Sequence, residues 1–309
     1  MIRLGRRALL AAPALLAAAP LPALNVGDQK GGVEALLKAA GLLDNAPVRL
    51  QFSQFGAAAP LLEALNAGAV DVAAVGDAPA TFALSAGVRA RIVAATRGTG
   101  ASTAIVVPGA SPIRTASDLR GRLIGTNRGS IGHALVLALA VREGWDLKEA
   151  QIANLLPADA RAALRAGAVS GWSTWNSYVA QAQLDDGARV VVDGRDGLLT
   201  GLSYQVATEA AISGRREALR LFLGLVARGR LWALDHADAY ARALSAEIGV
   251  SQAVARLAFE IDLPRAVRLD DSVIAGEQRT IDLYARAGLI RAQLEAGALF
   301  DATFNDVVV

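Results

Sequence analysis

A seven-residue stretch recurs in this chain 99 positions on, identical at six of its seven positions. Ala64-Leu65-Asn66-Ala67-Gly68-Ala69-Val70 returns as Ala163-Leu164-Arg165-Ala166-Gly167-Ala168-Val169. In each copy alanine and leucine carry a helix, a glycine closes it, and a valine opens a β-rich run. A helix that ends at glycine and feeds a strand is the building unit of α/β proteins. One such unit in each half predicts two similar α/β lobes. A coincidence in an alanine-rich chain is the competing explanation. The length, 309 residues, accommodates two domains of about 100–150 residues or one large α/β domain.

The rest of the chain follows the same alternation. Strands are expected at 24–29, 48–52, 70–75 and 91–95, with helices between them at 31–40, 58–67 and 79–86. A last strand of this set is expected at 104–107; a second set has strands at 123–126, 169–173, 189–192 and 203–207, with helices at 130–142 and 158–166. From Ser213 to about Leu299 almost everything reads as helical. The expected fold is α/β with mainly parallel sheets. Ala104–Val107 and Ser203–Ala207 are the expected crossings, giving one lobe from 24–106 with 206–309 and another from 107–205.

The first 23 residues stand apart. A basic head (Arg3, Arg6, Arg7), an apolar run from Ala8 to Ala19 and a closing Pro-Leu-Pro-Ala have the plan of an export signal. Pro13, Pro20 and Pro22 argue against a regular buried helix. Its removal takes the formal charge from +2 to −1, and no basic block remains for nucleic acid. The longest strongly apolar run after residue 25 is Ala134–Val141, far short of the ~20 residues that span a bilayer. Zero cysteines exclude disulfides, iron–sulfur clusters, thiolate zinc and a cysteine nucleophile. No cofactor is expected.

Further marks recur in order. They are Asp28-Gln29-Lys30-Gly31, Leu62–Gly68 before Val70-Asp71, Gly76-Asp77-Ala78-Pro79, and Ser111-Pro112-Ile113 with Asp118-Leu119-Arg120-Gly121. Gly129-Ser130 with His133, Leu156–Arg161, Trp172 with Trp175, and Thr200-Gly201 complete the set. This sequence resembles the periplasmic binding proteins of ABC importers for aliphatic sulfonates, whose relatives bind nitrate, bicarbonate, taurine or thiamine precursors. The resemblance spans nearly all of 24–309. It implies a monomeric periplasmic receptor of the type II, Venus-flytrap fold, whose lobes close over a small organic anion. The partners it implies are an importer permease and its ATPase. An enzyme of the same fold, such as a pyrimidine-synthesising relative, relies on histidine and cysteine; this chain has no cysteine.

The strongest physical signal for a site is Gly129-Ser130. A strand ends just before it and an apolar helix begins there, so free N–H groups and the positive end of the helix dipole face an anion. Ser130 can donate its hydroxyl to a ligand, cap its own helix, or do both. His133, on the same helical face, can donate to an oxyanion or pack against the other lobe. Gln29 stands at the carboxyl end of the first strand, where open α/β sheets bind ligands. Lys30 beside it is either a counter-charge or solvated. Gly76-Asp77 follows a strand and starts a helix. Gly76 is expected to face the ligand, and Asp77, which would repel an anion, suits capping better. Trp172, Trp175 and Tyr178 form either an aromatic wall or ordinary core. Set against the family pattern, Asn176 replaces a carboxylate that would meet an amine, which disfavours taurine, and Asp28 stands where an aromatic is common. Tyr204 is a candidate contact near the hinge, and Arg97 a candidate cation for the sulfonate.

Overall fold

The computed structural model describes residues 21–291 and 294–308. Residues 1–20 of the expected export signal lie outside the described residues. The chain opens with β1 (Ala23–Gln29), α1 (Val33–Ala39), β2 (Arg49–Phe55), α2 (Ala58–Asn66), β3 (Val72–Gly76), α3 (Asp77–Ser85) and β4 (Ala90–Arg97). It crosses into β5 (Thr103–Val107), β6 (Ile124–Thr126), α4 (Ile131–Arg142), β7 (Ile152–Asn154), α5 (Pro157–Arg165), β8 (Gly171–Trp175), α6 (Ser177–Leu184) and β9 (Arg189–Asp193). It returns through β10 (Leu202–Thr208), α7 (Glu209–Gly214), α8 (Arg216–Asp235), α9 (Ala237–Ile248), α10 (Gln252–Glu260), β11 (Arg265–Val267) and α11 (Asp271–Arg286).

Two mixed sheets result, in the orders β11-β4-β10-β3-β1-β2 and β7-β6-β8-β5-β9. Both follow one plan. β1 lies parallel between β2 and β3, as β6 lies between β7 and β8. The next strand is antiparallel in each: β10 beside β3, β5 beside β8. That strand is the one delivered by a crossing from the other sheet. β5 therefore belongs wholly to the second sheet and β10 to the first. The crossing segments precede them, at 98–102 and 194–201, upstream of the strands expected to cross.

The sequence repeat is a structural repeat. α2 and α5 both end with a glycine at φ 72°. Ala69 N–H returns to Ala64 C=O and Ala168 N–H to Ala163 C=O, each at 2.9 Å. This is the glycine-closed helix end that a side chain at that φ would strain, and each glycine turns the chain into the third strand of its sheet.

Helices cover both faces of each sheet. In the first sheet, Leu61, Leu65 and Ile281 pack one face with Val75, Ile92 and Tyr204. Leu37, Leu219, Phe222 and Phe304 pack the other with Val26 and Val72. In the second, Leu135 and Leu139 of α4 meet Ile105 and Ile124, and Trp172 fills the opposite side with Val106, Leu164 and Ala182. A further cluster joins the two units, with Ala78 and Phe82 of α3 and Leu283 and Tyr284 of α11 against Ala134 and Leu137 of α4. Sequence patterning missed β7 and α6, which are short. It also read β11 as helix, although this strand only extends the first sheet along β4. Among the described residues no helix is long and apolar enough to cross a membrane.

Candidate ligand-binding cleft

Residues of both sheets line a cleft of two joined chambers, of about 420 and 370 Å³. These volumes suit small organic ligands. Gln29, Gly76, Trp175, Asn176, Ser203 and Asp262 border both chambers and mark their junction.

The larger chamber holds the start of α4. Ser130 is 6% exposed. Its Oγ accepts the His133 N–H at 3.1 Å and donates to the Asn127 carbonyl at 2.7 Å. The capping role is thus realised. The Gly129 N–H donates to His133 Nδ1 at 3.0 Å. Only the Ile131 and Gly132 N–H groups, at the first two helical positions, find no acceptor among the described residues. They keep the unpaired donors and positive dipole end that suit an anion. Arg128 lines this chamber too. Its backbone N–H is fixed by Asn154 Oδ1 at 2.9 Å, and its exposed side chain has no salt bridge among the described residues. Phe82 lies over the Gly129 turn, and Leu62, Leu199, Leu202 and Trp175 extend the apolar wall. Glu63 and Asn66 of α2 line the same chamber.

The smaller chamber combines polar and aromatic lining residues. Asp28, Lys30, Gln205 and Arg230 line it with Trp175, Tyr178 and Tyr240. Burial pushes the Asp28 carboxyl up to about 6, against the pull of the Glu34, Val33 and Gln29 N–H groups and the Arg230 charge. The Glu34 N–H reaches its Oδ2 at 2.8 Å. Gln205 is 6% exposed and its Oε1 accepts no hydrogen bond among the described residues.

Of the residues singled out from sequence, Gln29, Gly76, Gly129, Ser130, Trp175 and Asn176 line the cleft. Trp175 stacks edge-on to Tyr178 at 6.3 Å, and Asn176 adopts φ 51° where the strand turns into α6. Asp28, Lys30, Tyr178 and Tyr204 line the smaller chamber, whereas Trp172, His133, Asp77 and Arg97 stand elsewhere, each for a physical reason. Trp172 is three residues from Trp175, so the pleat of β8 places it on the opposite face, where it is 1% exposed in the core. His133 lines neither chamber. It packs against Tyr284 at 6.1 Å, and burial, with the Arg128 charge, pushes its imidazole down to about 4. It is a neutral acceptor for Gly129, not an oxyanion donor.

Asp77, the first residue of α3, is buried. Its carboxylate accepts the Ala78 N–H at 2.7 Å and the hydroxyls of Thr200 and Thr280, and burial raises its pKa. Tyr204 only borders the smaller chamber. Its ring lies edge-on to Phe300 at 5.8 Å, and its hydroxyl sits beside Glu277 without meeting hydrogen-bond geometry. Arg97 lines neither chamber and reaches Ser272 at 3.3 Å, so it is no counter-charge for the cleft. Sequence reasoning missed Arg128, Glu63 and Asp262. Arg128 could have been found from its place immediately before Gly129-Ser130, and Glu63 from its helix, which ends beside β3. Asp262 has no local signal, because long-range packing alone brings it to the cleft.

Comparison with known proteins agrees with this architecture. An aliphatic sulfonates-binding protein of Escherichia coli (strain K12) is 31% identical, over 88% of this chain and 86% of its own length. The crystal structure of the alkanesulfonate-binding protein SsuA from Xanthomonas axonopodis pv. citri, bound to MOPS, superposes with a TM-score of 0.84 at 28% identity, covering 92% of this chain and 99% of that one. The periplasmic aliphatic sulphonate binding protein SsuA from Escherichia coli gives 0.82 at 28% identity, covering 92% of each. The NMT1/THI5-like family model matches residues 39–240. With more than half of the chain matched, and a two-sheet fold common to these relatives, the chain belongs to the NMT1/THI5-like family.

Proposed function

We propose that this chain is an exported solute receptor that captures an alkanesulfonate in the cleft and delivers it to the permease and ATPase of an ABC importer. The observation that carries this reading is the start of α4. The unpaired N–H of Ile131, with that of Gly132 next to it at the helix start, belongs to the turn that lines a chamber with Arg128 and the apolar surface of Phe82, Leu199 and Trp175. Donors at one end and an apolar wall beside them match a sulfonate head on a hydrocarbon tail. MOPS, the ligand of the Xanthomonas relative, is itself a propanesulfonate.

The two sheet units serve as lobes that close about 98–102 and 194–201, and the protein works as a monomer in the periplasm after losing about 23 residues. It performs no chemistry on its ligand. The absence of cysteine and the engagement of His133 Nδ1 by Gly129 both support that.

The test is a thermal melt with alkanesulfonates, taurine, sulfate, nitrate and a thiamine precursor side by side, with native mass spectrometry of the purified receptor. Alkanesulfonates should give the largest shift and leave unchanged after hours with the protein. A larger shift from nitrate or a thiamine precursor would overturn the sulfonate reading, and turnover would overturn the receptor reading.

A further inference from the structure

The first crossing segment is held by one acidic residue from a distant helix end. A Cβ at Gly98 would lie 2.2 Å from Asp262 Oδ1 and 2.6 Å from Oδ2, so the carboxylate occupies the space that glycine leaves free. Asp262 also faces the Ser102 hydroxyl and the N–H groups of Gly100 and Thr99. Its own carbonyl accepts the Thr99 N–H at 3.1 Å, and the Ile261 carbonyl accepts the Thr99 hydroxyl at 2.6 Å. The turn after α10 that presents these groups includes Leu263 at φ 46°, a costly conformation for a branched side chain. On its other side the segment meets the cleft wall, where the Asn176 N–H donates to the Ser102 carbonyl at 2.7 Å.

We infer that Asp262 is a positioning residue of the cleft, fixing the crossing 98–102 and, through the Ser102 carbonyl, the backbone of Asn176 and the adjacent Trp175. Both Asn176 and Trp175 border the junction of the two chambers, as Asp262 does. The link runs from the first sheet's helices to the wall of the second sheet, so it sets how the two walls face each other. Gly98 is its necessary counterpart. As a role for the cleft, it rests on the reading of the cleft as the binding site.

The experiment needs no ligand at first. The chain has four tryptophans, so fluorotryptophan labelling gives four fluorine resonances, with that of Trp175 assigned by its loss in Trp175→Phe. Asp262→Asn, which keeps the shape of the side chain, and Gly98→Ala, which displaces the carboxylate without removing it, should both shift the Trp175 resonance. Trp145 and Trp232, remote from the crossing, should keep theirs. In calorimetry with 1-butanesulfonate, both variants should bind about tenfold more weakly, the scale of one lost charge-assisted contact. A Trp175 resonance unmoved in both variants would overturn the inference. Were the unaltered protein to bind no butanesulfonate, the ligand reading would fail while the fluorine spectra still decided the positioning role.

Discussion

Replacing Ser130 by aspartate separates the helix start as a cap from the helix start as an anion site. Aspartate caps helices as well as serine does, and its charge favours the N-terminal end of α4 by a further ~0.3–1 kcal/mol. What it loses is the hydroxyl donor to the Asn127 carbonyl, 2.7 Å away, worth about 1 kcal/mol. The ligand-free protein should therefore melt within a few degrees of the unaltered one. Binding should respond very differently. A sulfonate oxygen at the Ile131 and Gly132 N–H groups would come within about 4 Å of the new carboxylate, and like charges at that distance repel by about 4 kcal/mol at an effective dielectric constant near 20. That is close to a thousandfold loss of affinity. At 100 times its dissociation constant a ligand stabilises the native state by about 2.7 kcal/mol, or about 5–10 °C at ~2–4 °C per kcal/mol. After Ser130→Asp the same concentration should shift the melt by less than about 0.5 °C. The measurement is a melt of both proteins with and without 1-butanesulfonate. A variant that kept half of the normal shift would refute the placement of the anion at this helix start.

Other expectations follow from single contacts. Trp172→Ala should cost about 3–5 kcal/mol in urea unfolding, because the ring is buried in the core, while Trp175→Ala should weaken ligand binding with a smaller loss of stability; the reverse pattern would contradict the assigned faces. Gly68→Ala and Gly167→Ala should each cost about 1–2 kcal/mol and by similar amounts, since both hold φ 72° with nothing near the added methyl; clearly unequal costs would break the equivalence of the two units. Burial, with the Asp77 charge, pushes Glu277 up to about 8, so the folded protein holds a proton there that the unfolded chain releases above about 4.5. Stability from this group is present below that pH and is lost as pH rises towards 8. Between pH 6.5 and 8 the loss should reach about 1–2 kcal/mol, and Glu277→Gln should flatten it. His133 acts in the opposite direction. Its folded-state value near 4 lies below the usual 6.5, so stability falls by about 3 kcal/mol as pH drops through that window. Chemical unfolding across pH 4–6.5 should show this slope shrink in His133→Gln.

The two-unit α/β fold was legible because its signals are local. A glycine after an alanine-leucine helix, followed by valine, means the same thing at Gly68 and at Gly167, and both glycines take the same φ. The expected strand positions were near enough to place Gln29, Gly76 and Gly129 at strand and helix ends, which is where the cleft forms. β11 and Asp262 were illegible for the opposite reason. Their roles depend on pairing with β4 and on contact with Gly98, across more than 160 residues of sequence.

Within the site, chemistry by residue type picked too many side chains. Trp172, His133, Asp77 and Arg97 carry suitable groups, yet none of them lines either chamber. The pleat of β8 turns Trp172 into the core, and Gly129 takes the one His133 nitrogen that faces the helix start. That last contact explains how the cleft selects its donors. A neutral histidine accepts the Gly129 N–H and the Ser130 hydroxyl accepts the His133 N–H, so the turn before α4 is satisfied internally and held in shape. The donors left over belong to Ile131 and Gly132, whose side chains say nothing about anions. In the proposed reading, recognition then falls to the backbone, with Arg128, which lines the same chamber, supplying the charge. Protonating His133 would remove the acceptor that Gly129 uses and set a second positive charge beside Arg128, and burial opposes it by pushing the imidazole down to about 4.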